Sequence, residues 1–152
     1  MDRKPIKRHK SLQPLSREHH FGLLLSWKIR TGLKRNIEPL RIKKYTDWFW
    51  KTHLIFHFEA EEKYIFSILP HGDTMVKRAI TEHRKLRRLF ENENEVEKSL
   101  HAIEEELEKH IRFEERILFN EVQKIATEEQ LQLIDEHHKH EFSDDWDDAF
   151  WQ

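Results

Sequence analysis

The sequence of 152 residues contains no cysteine. Disulfide bonds, cysteine-ligated zinc sites, iron–sulfur clusters and thiol catalysis are therefore excluded, and a cytoplasmic location fits this absence. Glycine and proline are also scarce, at three and four residues, so long helices meet few interruptions. No run approaches the ~18 apolar residues that a membrane-spanning helix needs, and the first residues lack the apolar core of a signal peptide. We therefore expect a helical, cytoplasmic protein without a membrane partner.

An excess of charge of either sign is also lacking, since 27 Lys and Arg against 29 Asp and Glu leave a formal net charge of −2. Such a total does not indicate binding to nucleic acid or to an anionic membrane. The ends differ, with five basic residues in 1–10 and five acidic residues in 141–152. Ends of this kind are usually solvated, but a second interpretation docks the acidic end on the protein body or on a partner through its aromatic side chains. Those side chains are Phe142, Trp146, Phe150 and Trp151.

Proline and the spacing of apolar residues divide the chain into four long helical segments. Apolar residues recur at helical spacing in each segment, and none alternates with the period of two that is typical of strands. Pro70 and the turn after it end the second segment. The predicted segments are residues 14–37, 39–69, 74–90 and about 95–126.

Three capping patterns predict where helices begin. Asp73 is placed to cap the third segment. Asn94, followed by Glu97, has the capping-box pattern for the fourth segment. Thr127 with Gln130 has the same pattern and opens a short fifth helix.

These features predict an all-α protein built as an antiparallel, up-down-up-down four-helix bundle. The bundle occupies residues 14–126. A basic N-terminal arm precedes it over residues 1–13, and a short helix with an acidic-aromatic tail follows over residues 127–152.

A histidine followed four residues later by a glutamate occurs in two similar stretches, HFEAEEKYIF at 57–66 and HIRFEERILF at 110–119. Residues four apart share one face of a helix, so His57 pairs with Glu61 and His110 with Glu114. Apolar residues flank both pairs, which indicates that the pairs face the core. A Glu-His step precedes each pair, at 18–19 and at 82–83.

Buried carboxylates need basic side chains, protonation or a metal cation to balance them. Four histidines and two glutamates that converge from four helices supply nitrogen and oxygen donors suited to a transition metal. The number of donors favours two metal ions, each with two histidines. Glu61 and Glu114 would bridge both ions and leave positions for a bridging oxygen and an exogenous ligand.

A single HxxxE pair is weak evidence, because such pairs are usually surface ion pairs worth a few tenths of a kcal/mol. The repetition is what favours a metal site. His19 and His20 are alternatives on the first segment, and we favour His19 because it shares a face with the small residues Gly22 and Ser26. His53 is expected to be a partly exposed structural residue. The glutamates Glu59, Glu62 and Glu115 are expected to face solvent or to lie behind the ligands, and the histidines His101, His137, His138 and His140 to lie on the surface.

These motifs resemble the hemerythrin HHE cation-binding family. The resemblance rests on EHH at 18–20, HFEAEEKYIFSILP at 57–70, EHRKLRRLF at 82–90 and HIRFEERILF at 110–119, and it covers about residues 14–125. It implies an up-down-up-down bundle around a non-haem di-iron centre, in which an oxo or hydroxo group and the two glutamates bridge the irons. The implied ligands are His19, His57, Glu61, His83, His110 and Glu114.

Two positions depart from oxygen-carrying hemerythrins. Arg87 stands where those proteins have a fifth histidine, and Glu115 stands where they have an aspartate, so Glu114 fits better as the ligand. With four histidines, the site is similar to family variants linked to iron sensing or to repair of nitrosative damage. The resemblance implies reaction with, or binding of, dioxygen, peroxide or nitric oxide, and donors of this kind also accept manganese or zinc.

Two other classes of function stay open. In the first, the protein is an iron- or oxygen-sensing module whose metal occupancy controls the binding of a partner through the arm or the tail. In the second, the protein is a metal-free structural bundle whose His and Glu form ion pairs. This alternative requires Lys or Arg to satisfy the buried carboxylates, and the second and fourth segments show no obvious core-facing base.

Overall fold

Seven α-helices make up most of the chain in the computed structural model, which describes residues 7–138 and 141–152. The helices are α1 (Gln13–Lys34), α2 (Pro39–Phe49), α3 (Ile55–Ala60), α4 (Thr74–Glu91), α5 (Val96–Phe113), α6 (Phe119–Ile125) and α7 (Glu128–His137). The described residues contain no strand, so the all-α class is confirmed. Four long helical runs joined by short connections are compatible with a four-helix bundle. Within the described ranges no helix is long and apolar enough to cross a membrane.

The second and fourth predicted segments are continuous helical runs that include π-helical turns. In the second, Trp50–Leu54 and Glu61–Ile65 are π-helical, and the run finishes as a 3₁₀ turn at Phe66–Ile68. Leu69 is extended, with ψ of 156°, as the residue before a proline prefers. In the fourth, the π-helical turn Glu114–Leu118 joins α5 to α6. Hydrophobic periodicity does not reveal these wider turns.

Two of the three predicted caps are confirmed. The Asp73 carboxylate accepts hydrogen bonds from the amides of Met75 and Val76 at 2.8 and 3.2 Å. Thr127 and Gln130 form the reciprocal capping box at the start of α7.

The third capping prediction is wrong, because α5 begins after Glu95 without a side-chain cap. The Asn92 side chain instead accepts hydrogen bonds from the amides of Asn94 and Glu95 at 2.9 and 3.1 Å. Asn94 therefore lies inside a turn closed by Asn92, and the residue at the cap position of α5 is Glu95.

Gly22 allows α1 to approach α5 closely. A Cβ atom on Gly22 would lie 2.6 Å from Cδ1 of Ile111. The absence of a side chain at Gly22 thus allows the close approach of the two helices that carry His19 and His110.

The acidic end docks on the protein body, so the interpretation as a solvated tail is wrong for residues 141–152. Phe150 is 1% exposed and belongs to the larger hydrophobic cluster, against which the other three aromatic side chains also pack. Asp144 accepts a hydrogen bond from the Tyr45 hydroxyl at 2.7 Å and pairs with the ammonium of the buried Lys28. Aromatic burial and one charge-assisted network thus hold this segment in place.

The described part of the basic arm is docked as well. The Arg8 guanidinium donates hydrogen bonds to the side chains of Asn120 and Gln123 and to the carbonyl of Glu115, at 2.8 to 3.2 Å. Leu12 is fully buried in the smaller hydrophobic cluster. Residues 1–6 lie outside the described ranges.

We expect Phe150→Ala to lower the free energy of unfolding by about 3 kcal/mol, because truncating a buried phenylalanine leaves a cavity. Urea denaturation measures this change. Leu133→Ala on α7, where Leu133 is 46% exposed, is the control and should change the free energy by less than about 0.5 kcal/mol. Equal stability of Phe150→Ala and the unmodified protein would mean that the acidic end is not part of the core.

Candidate metal centre

The structure brings all six predicted ligands together inside the helices. None of them is more than 3% exposed. They form two overlapping groups of four, in each of which one ligand atom per residue lies within 4.8 Å of the others. Both groups contain Glu61 and Glu114. The groups are His19, His57, Glu61, Glu114 and Glu61, His83, His110, Glu114.

The two candidate histidines of α1 differ in burial and direction. His19 is buried and belongs to the cluster, whereas His20 is exposed. Arg87, which stands in place of a fifth histidine, is also directed outward, with a side chain that is 65% exposed and paired with Glu91 at 3.1 Å. Four histidines therefore contribute to the cluster.

Each central glutamate is the first residue of a π-helical turn. The turns Glu61–Ile65 and Glu114–Leu118 begin at corresponding places in the two HxxxEE motifs. Inserting one residue into a helix re-aims the side chains around it, and π-helical turns of this kind occur frequently at functional sites. The local backbone therefore repeats together with the sequence.

The two oxygens of Glu61 face opposite halves of the cluster. Oε2 lies 3.2 Å from Nε2 of His19 and 3.1 Å from Nε2 of His57. Oε1 lies 3.1 Å from Nε2 of His83. One carboxylate thus lies between histidines that come from three helical runs.

Glu114 occupies the corresponding position from the fourth run. Its Oε1 lies 2.6 Å from Nε2 of His110 and 3.4 Å from Nε2 of His19.

Several nitrogen and oxygen atoms at the centre of the cluster lie close to one another, but they are not aligned for hydrogen bonding. Nε2 of His57, Nε2 of His110 and both oxygens of Glu114 are buried and have no hydrogen-bond partner of acceptable geometry. Buried polar atoms are rarely left without a hydrogen-bond partner, because each such atom lowers the stability of the folded protein by about 1–3 kcal/mol. Nitrogen and oxygen atoms that converge in this way fit coordination to a cation better than hydrogen bonding to one another.

A second set of glutamates faces the outer nitrogen of each imidazole. A carboxylate at Nδ1 fixes the orientation of the ring and leaves Nε2 directed inward, as in many metal sites. The contacts from Nδ1 are His57 to Glu18 at 2.8 Å, His110 to Glu82 at 2.8 Å, His83 to Glu62 at 2.9 Å and His19 to Glu115 at 3.6 Å.

These outer contacts follow the repeat in the sequence. The glutamate of each Glu-His step contacts a histidine on the next helical run, and the second glutamate of each HxxxEE motif contacts the histidine of a Glu-His step. Glu62 and Glu115 lie behind the ligands, one of the two places predicted for them. Glu18 and Glu82 were not predicted there, although their position directly before a ligand in the sequence was a signal for it.

Burial lowers the pKa of His19, His57 and His110, but neighbouring carboxylates outweigh this effect. Glu61 and Glu18 raise the pKa of His57 to about 9, and Glu114 and Glu82 raise the pKa of His110 to about 10. The pKa of His19 is also raised well above its ordinary value, by Glu114, Glu115 and Glu61. In the absence of a metal, these carboxylates therefore favour the protonated, positively charged form of the three imidazoles.

The same interactions stabilise the ionised form of Glu61. Burial would raise its pKa, yet the imidazoles of His57, His19 and His83 hold that pKa well below its ordinary value. Among the described residues, no Lys or Arg forms an ion pair with Glu61 or Glu114. The metal-free structural hypothesis therefore has its His–Glu ion pairs in this structure, but the Lys or Arg partners that it also requires for these two glutamates are absent from the described residues.

Two histidines outside the cluster lie where the sequence analysis did not place them. His53, expected to be partly exposed, is 2% exposed, and its Nε2 lies 2.8 Å from the carbonyl oxygen of Ser143 in the docked acidic end. His138, expected at the surface, has a side chain that is 5% exposed and contacts Glu18. Both positions depend on C-terminal segments whose docking the local sequence does not indicate. His101 and His137 are exposed as predicted, and His140 lies outside the described residues.

No family model matches the chain, and no curated protein or solved structure matches it either. The resemblance to hemerythrins therefore stays a prediction that rests on the motifs. The structure establishes a helical protein in which buried groups of histidine and glutamate can hold a metal ion.

Proposed function

We propose that this protein binds a pair of transition-metal ions, with iron as the foremost candidate, in a hemerythrin-like four-helix bundle. The observation that carries the proposal is the pair of overlapping, buried groups of four donors that share Glu61 and Glu114. A single surface HxxxE pair would not produce two such groups.

In this proposal, His19 and His57 hold one ion, and His83 and His110 hold the other. Glu61 bridges the two ions, which is supported by the direction of its two oxygens toward opposite halves of the cluster. Glu114, whose Oε1 approaches a histidine of each half, is the second bridge. The outer glutamates hold the imidazoles with Nε2 inward.

Iron is proposed on the resemblance, because imidazole and carboxylate donors also accept manganese and zinc. Iron ions held in this way would supply binding or redox chemistry for dioxygen, peroxide or nitric oxide. The role of the protein is to present neutral imidazoles, to neutralise the cationic charge with carboxylates and to exclude bulk water.

The alternative, a sensor whose metal occupancy controls a partner, assigns the partner contact to the arm or the tail. The aromatic side chains of the tail pack against the core in this structure. Deleting residues 141–152 would therefore expose the core and could not separate a lost partner contact from lost stability.

The first prediction concerns stoichiometry. After anaerobic loading with Fe(II), we expect about two ions per chain, and we expect Glu61→Ala to lose metal and to melt at a lower temperature, since metal binding is coupled to folding. Elemental analysis and thermal melts measure both effects. Glu59→Ala, on the same helix but exposed, is the control and should retain both ions. Full metal content and an unchanged melting temperature in Glu61→Ala would refute the assignment.

A second prediction separates the adjacent histidines of α1. We expect His19→Ala to weaken the binding of at least one ion by more than about tenfold, since it removes a ligand atom directly. His20→Ala should leave both ions bound, because its side chain is exposed. A metal titration of the two variants makes the comparison, and similar losses in both would place the ligand of α1 elsewhere.

A third prediction concerns protons. Because His57 and His110 have pKa values of about 9 and 10 without metal, and because metal ligation requires neutral imidazole, binding should release protons at pH 7. Affinity should then rise with pH between 6 and 8, as protons compete less with the ion. Calorimetric titration with zinc in two buffers of different ionisation enthalpy counts the protons. Binding at pH 7 without proton release would contradict the prediction.

A further inference from the structure

His138 connects the C-terminal helix to the candidate metal centre through one intervening carboxylate. Its Nε2 lies 2.8 Å from Oε2 of Glu18. The other oxygen of Glu18, Oε1, lies 2.8 Å from Nδ1 of His57. The side chains of His138 and Glu18 are each 5% exposed, and that of His57 is 2% exposed. Two buried imidazoles thus occupy both oxygens of one buried carboxylate.

The end of α7 explains why His138 turns inward while its neighbour does not. Leu131 and Ile134 are buried in the smaller hydrophobic cluster, which fixes α7 on the body. The amide of His138 still donates to the carbonyl of Ile134 at 2.9 Å, but its ψ of 87° takes the chain out of the helix. His137 remains exposed, and its ring stacks on Tyr64 with centroids 5.2 Å apart.

The equivalent glutamate in the other half of the cluster has a different partner. Glu82 contacts Nδ1 of His110 at 2.8 Å, as Glu18 contacts His57. Its second oxygen, however, accepts a hydrogen bond from Arg78 at 3.0 Å, and the side chains of Glu82 and Arg78 are 25% and 53% exposed. The ligands and the glutamates behind them repeat in the two halves, whereas the second partners of Glu18 and Glu82 differ.

We propose that His138 is a positioning residue of the metal centre, acting through Glu18 on His57 and therefore on only one of the two ions. The inference rests on the proposed function. Without His138, the buried Oε2 of Glu18 loses its partner, and the carboxylate is free to rotate or to be hydrated. The ring of His57 then loses a fixed orientation, and a loss of this kind behind a ligand typically weakens metal binding by 10–100-fold.

The two ion-binding sites therefore differ in their dependence on α7, although their ligands are of the same types. The ion held by His19 and His57 depends on the docking of α7, and the ion held by His83 and His110 does not. A disturbance at the end of α7 should therefore affect one binding step and spare the other.

The experiment is an anaerobic titration with cobalt(II), followed by the visible absorption of the bound ion. The unmodified protein should take up two ions. In His138→Ala, one ion should bind as before, and the other should bind at least about tenfold more weakly with a changed absorption band. His137→Ala, in which the exposed neighbour is truncated, should match the unmodified protein.

Two polar replacements add a matched comparison if truncation impairs folding. The amide nitrogen of glutamine reaches the position of Nε2 and can donate to Glu18, whereas that of the shorter asparagine corresponds to Nδ1. His138→Gln should therefore restore the weaker site, and His138→Asn should not. In a Glu18→Ala background, His138→Ala should cause no further loss, because removal of the carboxylate already breaks the connection between His138 and His57.

The possible outcomes separate the inference from the proposed function. If the unmodified protein binds no cobalt, the proposed function is wrong and the inference fails with it. If it binds two ions and His138→Ala titrates identically, or loses both ions equally, only the inference is overturned. Equal behaviour of His138→Gln and His138→Asn would also overturn it, since a merely structural role does not distinguish the reach of the two donors.

Discussion

Two glutamates with no exposed surface, Glu61 and Glu114, impose the constraint on which the rest of the structure depends. An ionised carboxylate inside a protein requires compensating charge and hydrogen bonds. Here the imidazoles of the four clustered histidines compensate the two glutamates, and each imidazole in turn faces a second, outer carboxylate. The long helical runs, the close approach at Gly22 and the π-helical turns bring these groups together. The polar centre thus determines how closely the helices pack around it.

Protons and metal ions can satisfy this constraint in the same way. When the imidazoles are protonated, their positive charge balances the central glutamates, which is why the pKa of His57 and His110 is raised and that of Glu61 lowered. A metal ion would replace those protons at Nε2 and leave the outer contacts at Nδ1 unchanged. The cluster can therefore remain folded in both conditions, which explains how a site of such high charge density is compatible with a packed interior.

The all-α class, the caps at Asp73 and Thr127 and the six clustered residues were predictable because each depends on local spacing. Asn94 does not form the predicted cap because the side chain of Asn92, two residues earlier, closes a turn that contains Asn94, and α5 begins one residue later. The burial of His53, His138 and the acidic end depends on contacts across about 90 residues or more, which helical periodicity cannot indicate. The π-helical turns were not predicted for a related reason, since the short stretches on either side of each turn contain too few apolar positions to reveal a change of helical phase.

Those π-helical turns also constrain how the sequence can change in length. Each residue of an α-helix rotates the chain by about 100°. Deleting one residue within 61–65 or 114–118 would restore regular α-helix and rotate everything beyond the turn by that angle. Phe119, whose ring centroid lies 5.1 Å from that of His19, would then leave the core although no ligand had been replaced. A single-residue gap is therefore tolerated far less in these two stretches than in the exposed turn at 71–72.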